Sequence, residues 1–167
     1  IRMLVDDSPF DVRYGTLRSH RRTLDVRAGT LHRDVEWVSP AGTAVRVESQ
    51  RLVSFEHRAV AAIRFRVTPL DRPARIILQS ELVANEAPPV TTSDDPRVAA
   101  ALERPLLPIG SDHTATGAML VHRTRHSRLL MAAGMQHQLD APAGHAVDTE
   151  VREDWARTTV VCEEPAG

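Results

Sequence analysis

Between Phe10 and Glu86 apolar and polar side chains alternate with a period of two, and proline- or glycine-containing turns interrupt the runs. The alternation is clearest at Ala61, Ile63, Phe65 and Val67, whose partners Ala62, Arg64, Arg66 and Thr68 are mostly polar. It recurs at Leu31, Val35 and Trp37 against His32, Asp34 and Glu36, and at Val45, Val47 and Val53 against Arg46 and Glu48. Extended backbone points successive side chains to opposite faces, so this pattern predicts half-buried antiparallel strands with one wet face. Ser39-Pro40-Ala41-Gly42 supplies a fixed φ and a residue that accepts positive φ, predicting a hairpin between residues 31–38 and 43–54. Arg27-Ala28-Gly29 makes an equivalent reversal before it. Thr68-Pro69-Leu70-Asp71-Arg72-Pro73 breaks the ladder ahead of a strand from Ile76 to Leu82.

The flanks extend the pattern. Ile1 to Val5 reads as a strand, as do Thr116 to Thr124, Leu129 to His137 and Asp154 to Val161. Residues 87–113 carry Pro88-Pro89, Asp94-Asp95-Pro96, Pro105 and Pro108 and read as a long loop. Within it Asp95 can cap a short helix that opens on Pro96 and continues through Val98 to Leu102. Residues 140–145 read as a connector. Eight or more short strands with one short helix predict an all-β, antiparallel β-sandwich occupying residues 1–162, with 163–167 as a linker.

Composition narrows the function classes. With 167 residues and 42% apolar side chains, the chain can bury a core without covalent staples. Cys162 is the single cysteine, so no intramolecular disulfide forms, and no apolar run approaches the roughly 18 residues of a membrane span. A soluble, cytoplasmic protein is expected. All 21 basic side chains are arginine and 22 carboxylates balance them, so the net charge of −1 offers no broad positive field to nucleic acid or to a membrane.

Ser19-His20-Arg21-Arg22-Thr23-Leu24-Asp25-Val26-Arg27-Ala28-Gly29-Thr30-Leu31 resembles the arginine-rich strand and turn, RTLDLRRGVL, of the amino-terminal domain of glycoside hydrolase family 65. Val35-Glu36-Trp37, Val45-Arg46-Val47-Glu48-Ser49, Arg51-Leu52-Val53-Ser54, Ala61-Ala62-Ile63-Arg64-Phe65, Val67-Thr68-Pro69-Leu70, Ser80 to Glu86 and His122-Arg123-Thr124-Arg125 are similar in order and spacing. The resemblance covers residues 4–137. It implies a super-sandwich of the galactose mutarotase-like class, here without the family's earliest strands. It implies a parent α-glucoside phosphorylase or hydrolase acting on maltose, trehalose, kojibiose or related glucosides, with inorganic phosphate as a co-substrate and no metal or organic cofactor. Its implied partners are an (α/α)6 catalytic barrel in the same polypeptide and a second subunit in a homodimer. Nothing after Val161 resembles that barrel, so no catalytic, phosphate-binding or metal residue transfers to this chain.

The remaining candidates have ordinary structural readings. The carboxylate pairs Asp6/Asp7, Asp94/Asp95, Glu81/Glu86 and Glu163/Glu164 are expected to cap turns or stay solvated, with Glu81 salt-bridged on a strand. His122, His126 and His137 fall on strands and a turn, where a four-residue spacing does not converge imidazoles on a metal, and are expected to make surface hydrogen bonds. Trp37 is in phase with the core, which leaves Tyr14 and Trp155 as the aromatic rings able to stack on a sugar. The arginines at 18, 21, 22, 27, 64, 66, 72 and 75 are expected to pair across strands with Asp25, Asp34, Glu36 or Glu48. Cys162 is expected to be inert. The sequence thus favours a non-catalytic domain of a family 65 enzyme over a stand-alone carbohydrate-binding or protein-interaction module.

Overall fold

The structure, a computed structural model, describes residues 1–86 and 104–167. Twelve strands and no helix occur among the described residues: β1 Arg2–Val5, β2 Ser8–Pro9, β3 Thr16–Asp25, β4 Thr30–Val38, β5 Ala44–Val53, β6 Ala61–Pro69, β7 Ala74–Val83, β8 Leu106–Thr114, β9 Gly117–Thr124, β10 Leu130–Gln136, β11 Ala146–Arg152 and β12 Trp155–Glu164. They form three sheets, ordered β3-β4-β5-β6, β10-β9-β8 and β11-β12-β7-β1-β2. The class is an all-β antiparallel sandwich, as the alternation predicts. The chain divides into two compact units, one of Arg2–Leu78, Ala141–His145 and Val161–Gly167, the other of Ile1, Gln79–Asp140 and Ala146–Val160.

In the first unit, successive hairpins build the β3-β4-β5-β6 sheet. The turn between β4 and β5 closes through Ser39 N–H to the Thr43 carbonyl (2.8 Å) and Gly42 N–H to the Ser39 carbonyl (2.8 Å), with Gly42 at φ +89°. This is the hairpin predicted from Pro40 and Gly42. Val35, Trp37, Val45 and Val47 then face Met3 and Val5 of β1 and Ala74 and Ile76 of β7 in one buried cluster. Trp37 is 0% exposed; its ring meets Phe10 edge-on with centroids 5.2 Å apart, and its indole N–H donates to the Tyr14 carbonyl at 2.7 Å. Gly15 permits that approach, because a Cβ there would lie 2.3 Å from the Val38 carbonyl oxygen at a φ of +78°.

Asp6 ties three segments of this unit together. It sits at φ +46° after β1, accepts the Thr43 hydroxyl (2.7 Å) and the Arg75 backbone N–H (2.9 Å), and its own N–H donates to the Arg75 carbonyl (3.0 Å). Thr43 is fully buried and also accepts from the Arg72 guanidinium at 2.7 Å. The Thr43 hydrogen bond, against the opposing effect of burial, holds the Asp6 carboxyl below the ordinary carboxylate range.

The second unit has a smaller core, with Ala118, Leu120 and Ala156 buried against Leu82, Ala84, Met135 and Val151. Buried hydroxyls are matched there: Thr149 donates to the Ala115 carbonyl and shares a hydrogen bond with Thr158, both at 3.0 Å.

Several expectations are corrected. Residues 106–114 are strand β8 and not loop, because β8 is a sheet edge with a register shift between Pro108 and Gly110, where a missing N–H costs no ladder bond. β11 was not foreseen as a strand. β12 runs to Glu164, and the Gly167 N–H donates to the Pro69 carbonyl at 3.0 Å. Val53 and Ile63, expected inside, are 65% and 53% exposed, because the core side chains of β1 and β7 cover only the other end of the sheet. The short helix expected at Asp95–Leu102 lies outside the described residues.

Trp37→Ala is expected to destabilise the protein by about 3–5 kcal/mol, since it deletes the largest buried ring and leaves the Tyr14 carbonyl without its donor. Val53→Ala is expected to change stability by less than about 0.5 kcal/mol. Urea unfolding followed by circular dichroism measures both; equal losses would contradict this division of the sheet.

Candidate functional site

The β3–β6 sheet carries different charge on its two faces, and its register shows why. Arg22 pairs with Arg33, Arg33 with Ser49, and Ser49 with Phe65. One step outward Leu24 pairs with Leu31, Leu31 with Arg51, and Arg51 with Ile63. One step inward lie His20, Val35, Val47 and Val67. Residues at alternate positions share a face, so Arg22, Arg33 and Arg51 continue the face that bears Trp37 and Val35. No strand residue of β3 to β6 on that inner face is a carboxylate; Asp25, Asp34, Glu36 and Glu48 all fall on the other one.

His20, Arg22, Leu31, Arg33, Ser49 and Arg51 line a concavity of about 210 Å³. Directly opposed side chains in such a sheet start about 4.5–5.5 Å apart, so Arg22 and Arg33 are close neighbours. Arg33 Nε donates to His20 Nε2 at 3.2 Å, and its guanidinium lies 5.9 Å from the Phe10 ring centroid. Burial, reinforced by the charges of Arg22 and Arg51, pushes the Arg33 pKa down. Beyond the arginines the same end of the sheet exposes Leu24, Val53 and Ile63, with Phe55 89% exposed over the β3–β4 turn, 3.7 Å from where a Gly29 side chain would begin.

The outer face is charge-balanced. Arg46 binds Asp34 through two hydrogen bonds, at 3.0 and 2.5 Å, and approaches Glu48 at 3.9 Å. The Arg46 hydrogen bond, against the opposing effect of burial and with the charges of Arg46 and Arg21, lowers the Asp34 pKa. Arg21, Arg64 and Arg66 line a wider concavity there with Asp34, Glu48, His32 and Gln50. Asp34 and Glu48 are thus met by Arg46, which is not among the arginines expected to pair with them, and Arg22 departs from the expectation because its position in the register turns it inward. Arg72 and Arg75 instead bind Thr43 and Asp7. Guanidinium groups gathered without carboxylates recognise oxyanions; they supply neither a nucleophile nor a general base.

A second polar cluster lies in the other unit. His122 is 1% exposed and its Nε2 lies 3.0 Å from Asp154 Oδ1. Asp154 also accepts from Asn85 Nδ2 (2.9 Å) and Arg104 (2.6 Å). Asn85, at φ +53°, completes the bracket by donating to the Leu106 carbonyl (2.8 Å) and accepting the Leu106 N–H (3.0 Å). Burial alone would raise the Asp154 pKa, but the hydrogen bonds from His122, Arg104 and Asn85 outweigh it and hold the carboxyl low. His122 is thus a buried partner of Asp154 and not the surface group expected from its strand.

The other predicted residues fall as follows. Tyr14 is exposed, with the Arg13 guanidinium 5.8 Å from its ring centroid. Trp155 is half-buried, its N–H directed at Glu81 Oε1 (3.4 Å) and its ring approached by Arg157 at 4.8 Å and Arg152 at 5.8 Å. Tyr14 and Trp155 belong to different units. Asp6 and Asp7 occupy a turn, Asp94 and Asp95 lie outside the described residues, and Glu163 and Glu164 follow Cys162, whose thiol is pushed up by burial and by both carboxylates. His126 is exposed, and His137 Nδ1 meets the Thr116 carbonyl at 2.8 Å. The expected long loop 87–113 includes most of β8, which spans 106–114, with 87–103 outside the described residues. Neither the arginine row nor the Asn85 bracket was foreseen, although the register implied by the Gly29 and Gly42 turns places 22, 33 and 51 together.

Replacing Arg22 and Arg51 by glutamine is expected to stabilise the chain by about 0.2–1 kcal/mol at low salt by removing like-charge repulsion. The gain should shrink in about 1 M sodium chloride, where screening is strong; thermal unfolding at the two salt concentrations measures it. Asp154→Ala is expected to cost about 1–3 kcal/mol by stranding His122 and Asn85. Because the folded pKa of Asp154 lies below its unfolded value near 3.9, its contribution is present above about pH 4 and is lost as pH falls through the folded pKa. Asp154→Asn should flatten that acid limb of the stability profile; an unchanged limb would contradict the assignment.

The sequence model of the glycosyl hydrolase family 65 N-terminal domain matches residues 1–167. An uncharacterized glycosyl hydrolase of Mycobacterium tuberculosis is 55% identical over 161 residues, which is 96% of this chain and 20% of that protein. The alpha,alpha-trehalose phosphorylase of Thermoanaerobacter brockii is 28% identical over 168 residues, 100% of this chain and 22% of that protein. Among solved structures, one described as a kojibiose phosphorylase from the human microbiome superposes with a TM-score of 0.78 at 14% identity, over 99% of this chain and 20% of the other. The chain spans about a fifth of the length of these relatives. An all-β sandwich with this strand order, matched from its first residue to its last, belongs to glycosyl hydrolase family 65 as its N-terminal domain.

Proposed function

We propose that residues 1–167 serve as the non-catalytic β-sandwich of a larger α-glucoside phosphorylase or hydrolase, supporting a separate (α/α)6 catalytic barrel and the assembly of a homodimer. The observation that carries this reading is the full-length match to the N-terminal domain within relatives about five times longer. The inner face of β3–β6 supports it too, since exposed apolar side chains set among arginines are the composition of an interface core. The substrate class is a disaccharide of the maltose, trehalose or kojibiose type, with inorganic phosphate as co-substrate, no organic cofactor or metal, and a cytoplasmic location.

The intact enzyme, assayed on these disaccharides with and without phosphate, tests the activity. Sugar phosphate formed only when phosphate is present identifies a phosphorylase; glucose released at the same rate without it identifies a hydrolase; turnover of none of them refutes the reading. Tyr14→Ala and Trp155→Ala are expected to change kcat/KM by less than about twofold, equivalent to roughly 0.4 kcal/mol. A rise in KM of about tenfold or more in a folded Trp155→Ala enzyme would make that ring a sugar contact instead.

A further inference from the structure

The inner face of β3–β6 is dressed as protein core at one end and left bare at the other. Val35, Trp37, Val45 and Val47 are covered by β1 and β7, whereas Arg22, Arg33, Arg51, Leu24, Val53 and Ile63 are not part of that buried cluster. Phe55 extends the bare end past the turn. We infer that this end is covered in the intact polypeptide by a carboxylate-bearing surface of the chain outside residues 1–167. This deepens the proposed function and rests on it.

Two observations select that occupant. The first is charge: among the strand residues of β3–β6 the arginine row has no carboxylate on its own face, so a cover that satisfies it must bring Asp or Glu, and burying guanidinium groups without one would be costly. The second is length: about four fifths of the relatives' chain lies outside the matched segment, ample to supply such a surface. A small oxyanion could sit among the arginines but would leave Leu24, Val53, Ile63 and Phe55 in water. A second copy using the same face about a two-fold axis would set arginine row against arginine row. The outer face differs in the relevant way, because Arg46 already finds Asp34 and Glu48 there.

The full-length enzyme carrying a benzophenone amino acid in place of Phe55 tests the inference. Irradiation is expected to give an adduct of single-chain mass whose second peptide lies outside residues 1–167 and contains Asp or Glu. R22E/R51E should reduce its yield by about tenfold or more, the scale of losing one well-placed charge contact. R22Q/R51Q should also reduce it while the domain remains folded by circular dichroism, and R64E/R66E, an equal charge change on the outer face, should leave it intact. An adduct to a second chain or within residues 1–167, no adduct, or a yield unaffected by R22Q/R51Q would overturn the inference. Disaccharide turnover by the same preparation separates the two readings: turnover without the adduct refutes the docking alone, and the adduct without turnover refutes the enzymatic reading alone.

Discussion

The limited stretch of β1 and β7 that packs on the β3–β6 sheet is the constraint on which the first unit depends. At about 3.3 Å per residue, the ten-residue strands β3 and β5 run roughly 33 Å, whereas the four residues of β1 cover about 13 Å, and of the ten-residue β7 only Ala74, Ile76 and Leu78 join the cluster. A face cannot be buried beyond the reach of what packs on it. Trp37 and Val35 therefore sit in a closed core while Arg33 and Leu31, next in phase on the same strand, lie toward its edge. The same backbone periodicity that buries one end of β4 thus presents the other, and the change from valine and tryptophan to arginine marks where cover ends.

In both units a carboxylate side chain joins turns that are distant in sequence. Asp6, Thr43 and the Arg75 backbone join the end of β1, the β4–β5 turn and the start of β7. Asp154, His122, Asn85 and Arg104 do the equivalent at the β11–β12 turn, β9 and the entry to β8. Each acid accepts several donors while partly buried, so its charge is compensated where solvent cannot do it. Both carboxyls consequently titrate below the ordinary carboxylate range.

Much of the sheet architecture was legible because period-two alternation and turn chemistry are local signals. Pro40 and Gly42 announced the β4–β5 hairpin, and Trp37 declared itself core by its phase with Val35. β8 was hidden by Pro105 and Pro108, which are breakers in a central strand but tolerated at an edge with a bulge, and being an edge is a property of the whole sheet. His122 was misplaced for a similar reason: its burial depends on Asp154, 32 positions away. The role of Asn85, the single asparagine of the chain, required a left-handed backbone and a partner at Leu106.

By itself the sequence determined most of the strands and turns, the sandwich class and the family, since each rests on residue spacing along the chain and on ordered motifs. Tertiary structure decided which phase of each strand is covered, which end of the β3–β6 sheet is bare, and that Arg22, Arg33 and Arg51 converge without a carboxylate. The physical reason is that alternation assigns a residue to a face but not to an environment. Whether that face meets core, water or another surface depends on the length and placement of elements distant in sequence.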